Sequence, residues 1–257
     1  GDFRGSQIAG LVNLHEGDFL GAQIAGIGNF ASKSVYGAQI SGIANRVRDT
    51  AESQISGIVN VADYNSRAQI TGIANICLEE NNGVQISGMY NRTKINNGYQ
   101  IGFINRADSS NGMPIGFISI VKHGYHVAEF SVNDLLIPTV GFKTGIKKFY
   151  NIFELGGNAN YLQASYGLGT ILPLSKRFDL SFDVKGSAVL SIDELNELTI
   201  DDHYENQSGY SLFRFSPSIC FQWTPKFAIA AGPVLNYAIS NAQNQTEPVK
   251  LSHQHFY

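Results

Sequence analysis

Six carboxylates and one histidine fall between Asp193 and Glu205, in "DELNELTIDDHYE". Such a cluster could bind calcium. It lacks the alternating ligand spacing and the sixth-position glycine of a calcium loop, so it reads as a solvated loop. His253 and His255, in "SHQHF", share one face of a strand and could clip a metal, or serve simply as polar strand residues. His123 and His126 have no cysteine or carboxylate arranged around them. His203 with Ser208 or Ser211 is the nearest approach to a nucleophile–base pair, and no G-x-S-x-G, phosphate loop or HExxH accompanies it. Gly167 and Gly169, in "YGLGT", sit inside a strand with no helix after them, which excludes a dinucleotide fingerprint. Cys77 and Cys220 lie in different halves of the chain and read as two buried free thiols. The expectation is a protein with no catalytic, cofactor or metal site.

What the sequence builds instead is a repeat. "GAQIAGIGNF", "GAQISGIANR" and "RAQITGIANI" are three copies of Gln-Ile-small-Gly-aliphatic-X-Asn. The closing asparagines are Asn13, Asn29, Asn45, Asn60, Asn75, Asn91 and Asn105, with Ser119 in an eighth copy. By subtraction the steps are 16, 16, 15, 15, 16, 14 and 14 residues. This period is too short for paired helices and suits a short-coil β-solenoid or β-roll, in which two strands and two turns make one coil. A single coil cannot bury its own apolar face, so coils must stack. Ile8, Ile24, Ile40, Ile55, Ile70, Ile86 and Ile101 are expected to form an aliphatic ladder in the core. The Gln and Asn columns are expected to bond side chain to side chain between coils, and the Gly column to mark places where no side chain fits. Polar stretches between copies, such as "VRDTAES" and "LEENNG", read as solvent-facing turns. Eight coils at about 4.8 Å each give a rod of about 38 Å.

The repeat ends near residue 121 and strict alternation begins. "FDLSFDVKG" sets Phe178, Leu180, Phe182 and Val184 against Asp179, Ser181, Asp183 and Lys185. "FRFSPSICFQW" sets Phe213, Phe215, Ile219, Phe221 and Trp223 against Arg214, Ser216 and Ser218. About eight strands are expected, at roughly 125–132, 137–146, 149–156, 162–173, 177–190, 209–223, 226–240 and 249–257. Several are as long as the 9–11 residues or so that a membrane-spanning strand needs. Tight turns at "PLSKRF" and "WTPKF" alternate with the long acidic loop, as the two ends of an outer-membrane barrel do. Aromatics such as Tyr166, Phe178, Tyr210, Trp223, Phe227 and Tyr237 fall near strand ends, where girdles sit. Phe213, Phe215, Ile219, Phe221, Trp223, Phe227 and Tyr237 are therefore expected to face lipid. A soluble barrel would show the same alternation, but with Asp179, Asp183, Lys185 and Arg214 on its surface.

The fold class expected is all-β: about eight 14–16-residue solenoid repeats over residues 1–121, then an approximately eight-stranded antiparallel transmembrane barrel over 122–257. Composition agrees: 257 residues, 15% charged, 27 Gly and a net charge of −3 leave no nucleic-acid footprint. No apolar run is long enough for a transmembrane helix, and no signal peptide is seen. The chain opens inside a repeat, which suggests a mature or trimmed chain whose first coil is covered by further residues or another protein.

The tandem GxQIxGIxN copies, followed by "PIGFISIVKHGYH" (Pro114 to His126) and "FKTGIKKFYNIF" (Phe142 to Phe153), resemble surface-repeat outer-membrane proteins of Bacteroidota-type bacteria. The resemblance implies outer-membrane placement in a Gram-negative cell, with the repeats on the surface, and implies no chemistry. The coils also resemble the β-roll heads of trimeric adhesins, without their coiled-coil stalk. The function expected is a non-enzymatic outer-membrane protein. The barrel would contact lipid, and the solenoid would bind other outer-membrane proteins in a complex. The alternatives are a ligand-binding or adhesin-like β-roll and, behind it, an outer-membrane hydrolase.

Overall fold

The structure, a computed structural model, describes residues 1–132, 137–192 and 210–240. The chain divides into two compact units, with the second starting at Tyr125. Both are all-β.

The first unit is a β-solenoid of about eight coils. One strand column carries the Gln-Ile pair. It comprises β1 (Phe3–Ala9), β3 (Phe19–Ala25), β5 (Val35–Ser41), β7 (Thr50–Ser56), the end of β8 (Val59–Thr71), β10 (Val84–Ser87), β12 (Tyr99–Ile101) and β14 (Met113–Ile115). The other carries the asparagines: β2 (Val12–His15), β4 (Gly28–Ala31), β6 (Ala44–Val47), the start of β8, β9 (Ala74–Asn81), β11 (Tyr90–Asn96), β13 (Ile104–Ser110) and β15 (Ile118–Val121). Neighbouring strands are parallel, and like residues pair: Gln7 with Gln23, Ile24 with Ile40, Asn29 with Asn45. The Gly column is where coils touch backbone to backbone. A Cβ on Gly26, Gly42 or Gly57 would come within 2.2–2.3 Å of the preceding coil's carbonyl oxygen.

The isoleucine ladder exists, but it is not in the core. Ile24, Ile40, Ile55, Ile70, Ile86 and Ile101 are each about 40% exposed, and Ile8, on the first coil, is 76% exposed. Gln23, Gln39, Gln54, Gln69, Gln85 and Gln100 are fully buried, as are Asn29 through Asn105 of the asparagine column. The reason is the asparagine. Asn29 Nδ2 donates to Gln23 O, to Ile40 O at 2.9 Å and to Asn45 Oδ1 at 2.8 Å. It braces the coil's tight turn from within, so it must point inward. Parity along the facing strand then turns Gln inward and its neighbour Ile outward. The apolar core is made by small residues instead, among them Ala31, Val47, Ala62, Cys77, Ala107 and Val121, with Phe19, Val35 and Ala51 beside the earlier coils.

The second unit is a curled antiparallel sheet, a half-barrel of seven strands in path order. These are β16 (Tyr125–Val132), β17 (Pro138–Ile146), β18 (Phe149–Gly157), β19 (Tyr161–Pro173), β20 (Phe178–Ser191), β21 (Tyr210–Thr224) and β22 (Phe227–Ala231). The expected strand 226–240 is broken. Its second piece, β23 (Leu235–Ser240), pairs with the other end of β21. Pro217 and Pro233 remove ladder donors at the break, and a Cβ on Gly232 would sit 1.9 Å from Pro217 O. The expected last strand, 249–257, lies outside the described residues, and among the described residues the sheet is not closed.

Candidate functional site: a charged inner face and two exposed aliphatic columns

Every Asp, Glu, Lys and Arg on the described strands of the half-barrel shares one face, with Glu129, Lys143, Glu154, Asp179, Asp183, Lys185 and Arg214 all on it. Six of these are under 10% exposed. Their partners lie on the adjacent strand or up to three strands across the sheet. Lys143 on β17 reaches Asp183 on β20 at 2.8 Å and also holds Glu129 on β16 at 2.6 Å. Tyr150 donates its hydroxyl to Asp183, and the Lys143 ammonium lies 5.6 Å from the centre of the Tyr150 ring. Lys185 on β20 reaches over β19 to Glu154 on β18 at 2.6 Å. Lys147 holds Asp179 at 3.1 Å, and Arg214 Nε donates to Asn236 Oδ1 at 3.1 Å.

These chords need clear space above β19, and Gly167 and Gly169 supply it. A Cβ at Gly169 would lie 2.3 Å from Asp183 Oδ1 and 2.4 Å from the Tyr150 ring. One at Gly167 would lie 2.6 Å from Lys185 Cγ. The "YGLGT" glycines are thus part of an ion-pair lattice. Two glycines spaced i, i+2 on the polar parity of a strand were the available signal.

The opposite face carries no charge on the described strands. Phe142, Phe153, Tyr166, Phe213 and Tyr237 form one registered row across it, with Gly186 between Tyr166 and Phe213. Of the residues expected to meet lipid, Phe213, Phe215, Ile219, Trp223, Phe227 and Tyr237 are exposed on this face and Phe221 is half-buried on it. From Leu180 to Leu190 the outward positions of β20 span ten residues. That is about 33 Å of strand, or about 25 Å of height at a tilt of about 40°.

In the solenoid the buried amides form ladders. Gln39 Nε2 donates to Gln23 Oε1 at 2.8 Å, Gln54 to Gln39 at 2.9 Å and Gln69 to Gln54 at 2.8 Å. A further ladder escaped the repeat consensus: Asn65 donates to Asn81 at 2.6 Å, Asn81 to Asn96 at 2.8 Å, and Asn96 to Ser110 at 3.1 Å. It continues the column that holds Val35 and Ala51 in earlier coils. Ala51 and Asn81 are fully buried, so "VRDTAES" and "LEENNG" are not wholly solvent-facing. Cys77 is buried and donates to Glu80 O at 2.9 Å, and burial raises its thiol pKa to about 11, which keeps it protonated and inert. Burial also raises the Asp63 carboxyl above its usual value.

Outside, two aliphatic columns flank the glycine turn. Beside the isoleucines runs Leu11, Ile27, Ile43, Ile58, Ile73, Met89, Phe103 and Phe117, each between 40% and 67% exposed. Phe103 and Phe117 stack at 5.0 Å.

Among the described residues, no three His, Cys, Asp or Glu side chains are grouped to hold a metal ion. His126 Nδ1 lies 3.1 Å from Thr144 Oγ1, and His123 Nδ1 lies 3.0 Å from Asp108 O. The acidic loop with His203 and Ser208, and the pair His253 and His255, lie outside the described residues. Comparison with known protein families, with curated proteins and with solved structures finds no match to this chain.

Proposed function

We propose that this chain is a non-enzymatic outer-membrane protein of a Gram-negative bacterium. In this reading the curled sheet belongs to a transmembrane β-barrel, and the solenoid is a structural and protein-interaction module within a larger outer-membrane complex. One observation carries the reading. The described strands put every one of their charges on the sheet's inner face and an uncharged, aromatic-rich face outward. A soluble barrel of the same alternation would do the reverse. A lipid-embedded one needs this arrangement, because a charge on its outer face would be costly. The height of about 25 Å matches the apolar band of such barrels. The absence of a long apolar helix does not bear on this, since barrels cross with strands.

The tight turns favour one side in this reading. Hairpins β17–β18, β19–β20 and β21–β22 turn at one end of the sheet, and the chain enters β16 at that same end, where Tyr125 pairs with Gly145. With short turns periplasmic, residue 124 is periplasmic, against the surface placement that the family resemblance favours. Fractionation tests the proposal: the protein should stay with outer membranes through salt and carbonate washes. Recovery as a stable, detergent-free soluble chain overturns it.

A further inference from the structure

The two exposed columns of the solenoid have a specific character. Across eight coils, the stretch from the isoleucine to the residue before the asparagine contains no charged residue: "IAGLV", "IAGIG", "ISGIA", "ISGIV", "ITGIA", "ISGMY", "IGFI", "IGFI". The surface it makes is two ridges and a furrow. Ile24, Ile40, Ile55, Ile70 and Ile86 form one ridge, and Ile27, Ile43, Ile58 and Ile73 lie in the other. Between them run glycines that are exposed and have no side chain, such as Gly26, Gly42 and Gly57. The furrow cannot be filled from within its own chain along its middle coils, because Gly26, Gly42, Gly57, Gly72 and Gly88 back onto the preceding coil's carbonyl.

We infer that this face is a self-association surface, and that its occupant is the same face of a second copy of this chain. The inference rests on the interaction-module reading of the solenoid and is independent of the membrane reading of the sheet. Three observations select the occupant. The first is area. Side chains of this size, about two-fifths exposed, offer roughly 70 Å² each. Fourteen or so make on the order of 1,000 Å² per copy, above the 800 Å² or so that each partner contributes to a standard interface. The second is period. A partner that meets every rung must repeat once per coil, at about 4.8 Å. A second copy does so by construction, with a ridge to lay into each furrow. A two-fold axis across the rod sets the fourth coil against the fifth, and all coils find equivalents. The third is charge. A face that lies on a bilayer is rimmed by Lys and Arg on its polar flanks. Here the adjoining column, Leu14, Phe30, Arg46, Val61, Ile76, Arg92, Arg106 and Ile120, is mixed and mostly apolar.

The test uses the full chain in mild detergent, with mass read by light scattering corrected for detergent. The wild type should be a dimer. Because these side chains point outward, Ile43→Glu, Ile58→Glu and Ile73→Glu combined should leave the circular dichroism spectrum and a cooperative melt intact, at a temperature lowered by no more than loss of the partner chain implies, and should shift the mass to a single chain. In a Cys77→Ala, Cys220→Ser background, a mixture of Ile58→Cys chains with Ile73→Cys chains should be joined in pairs through a short bis-maleimide, and Leu11→Cys chains should not. A wild-type monomer with no cross-link overturns the inference. So does a dimer indifferent to the three glutamates. If the glutamates instead abolish binding to phosphatidylcholine vesicles, lipid is the occupant. If they release a different co-purifying protein, that protein is. Either result overturns the second copy while leaving the carbonate-wash test of the membrane reading untouched.

Discussion

The solenoid and the curled sheet both bury polar groups and expose apolar ones, but they satisfy the polar groups in opposite ways. The solenoid buries neutral amides. Most of these Gln and Asn side chains donate to their twin one coil away, so the pairing partner is fixed by stacking alone. The sheet buries charges, and their partners lie one to three strands away: Lys143 with Glu129 and Asp183, Lys185 with Glu154. A repeat can afford a polar core because one good hydrogen bond is copied at every rung. A sheet without repeats must find each partner separately, and must clear the way for it with glycines at 167 and 169. The contrast is one of locality. A damaged rung leaves other rungs intact, whereas a damaged chord strands a charge.

The sharpest way to break this contrast is to remove a chord. Asp183→Ala leaves the Tyr150 hydroxyl without its acceptor and Lys143 with only Glu129. Removing one partner of a buried pair costs about 3–5 kcal/mol. The urea midpoint of the sheet, followed by circular dichroism in detergent, should fall accordingly, and Asp183→Ala with Lys143→Met should recover part of the loss. A change like that of a surface mutation would mean that the chords are solvated. Next comes a rung. Asn60→Ala removes donors to Gln54 O, Ile70 O and Asn75 Oδ1 and the acceptor of Asn45. Unmaking buried hydrogen bonds of this kind should cost about 2–3 kcal/mol. Hydrogen exchange should rise in the coils beside residue 60 and stay unchanged in the sheet. Uniform loosening of both units would end the claim of locality. The smallest effect is expected at the isoleucine next to a buried glutamine. In the chain kept single by Ile43→Glu, Ile58→Glu and Ile73→Glu, Ile55→Ser should shift stability by less than about 1 kcal/mol, as surface changes do. A loss of several kcal/mol would return Ile55 to the core.

Much of this architecture was legible in the sequence, and the main thing that was not is which face lies inside. Alternation says which residues share a face but not which face is inside. In "FDLSFDVKG" the charged parity lies inside, and the length of the strands together with their aromatic ends pointed that way. In "QIxGIxN" hydrophobicity placed Ile55 inside and left Gln54 to bond between coils, whereas the turn-bracing hydrogen bonds of the asparagines reverse the parity. Strand bounds read well where alternation was unbroken: 162–173 was expected, and β19 is Tyr161–Pro173. They failed at Gly232 and Pro233, where the chain changes its place along β21. The Asn65–Asn81–Asn96 ladder was hidden because it lies in the stretch that varies from copy to copy, outside the consensus.

The glycine column has one more consequence, and it concerns inheritance. Because coils meet there through main chain alone, the contact between two coils hardly depends on which two they are. Deleting residues 61–75 joins Asn60 to Ile76 and brings Gln54 beside Gln85, Ile55 beside Ile86 and Gly57 beside Gly88, each pair in the register that adjacent coils already use. The rod is therefore written in interchangeable cassettes. Unequal recombination between copies of the repeat can lengthen or shorten it by whole rungs without redesigning a single contact, so the length of the rod can evolve separately from the sheet that follows it.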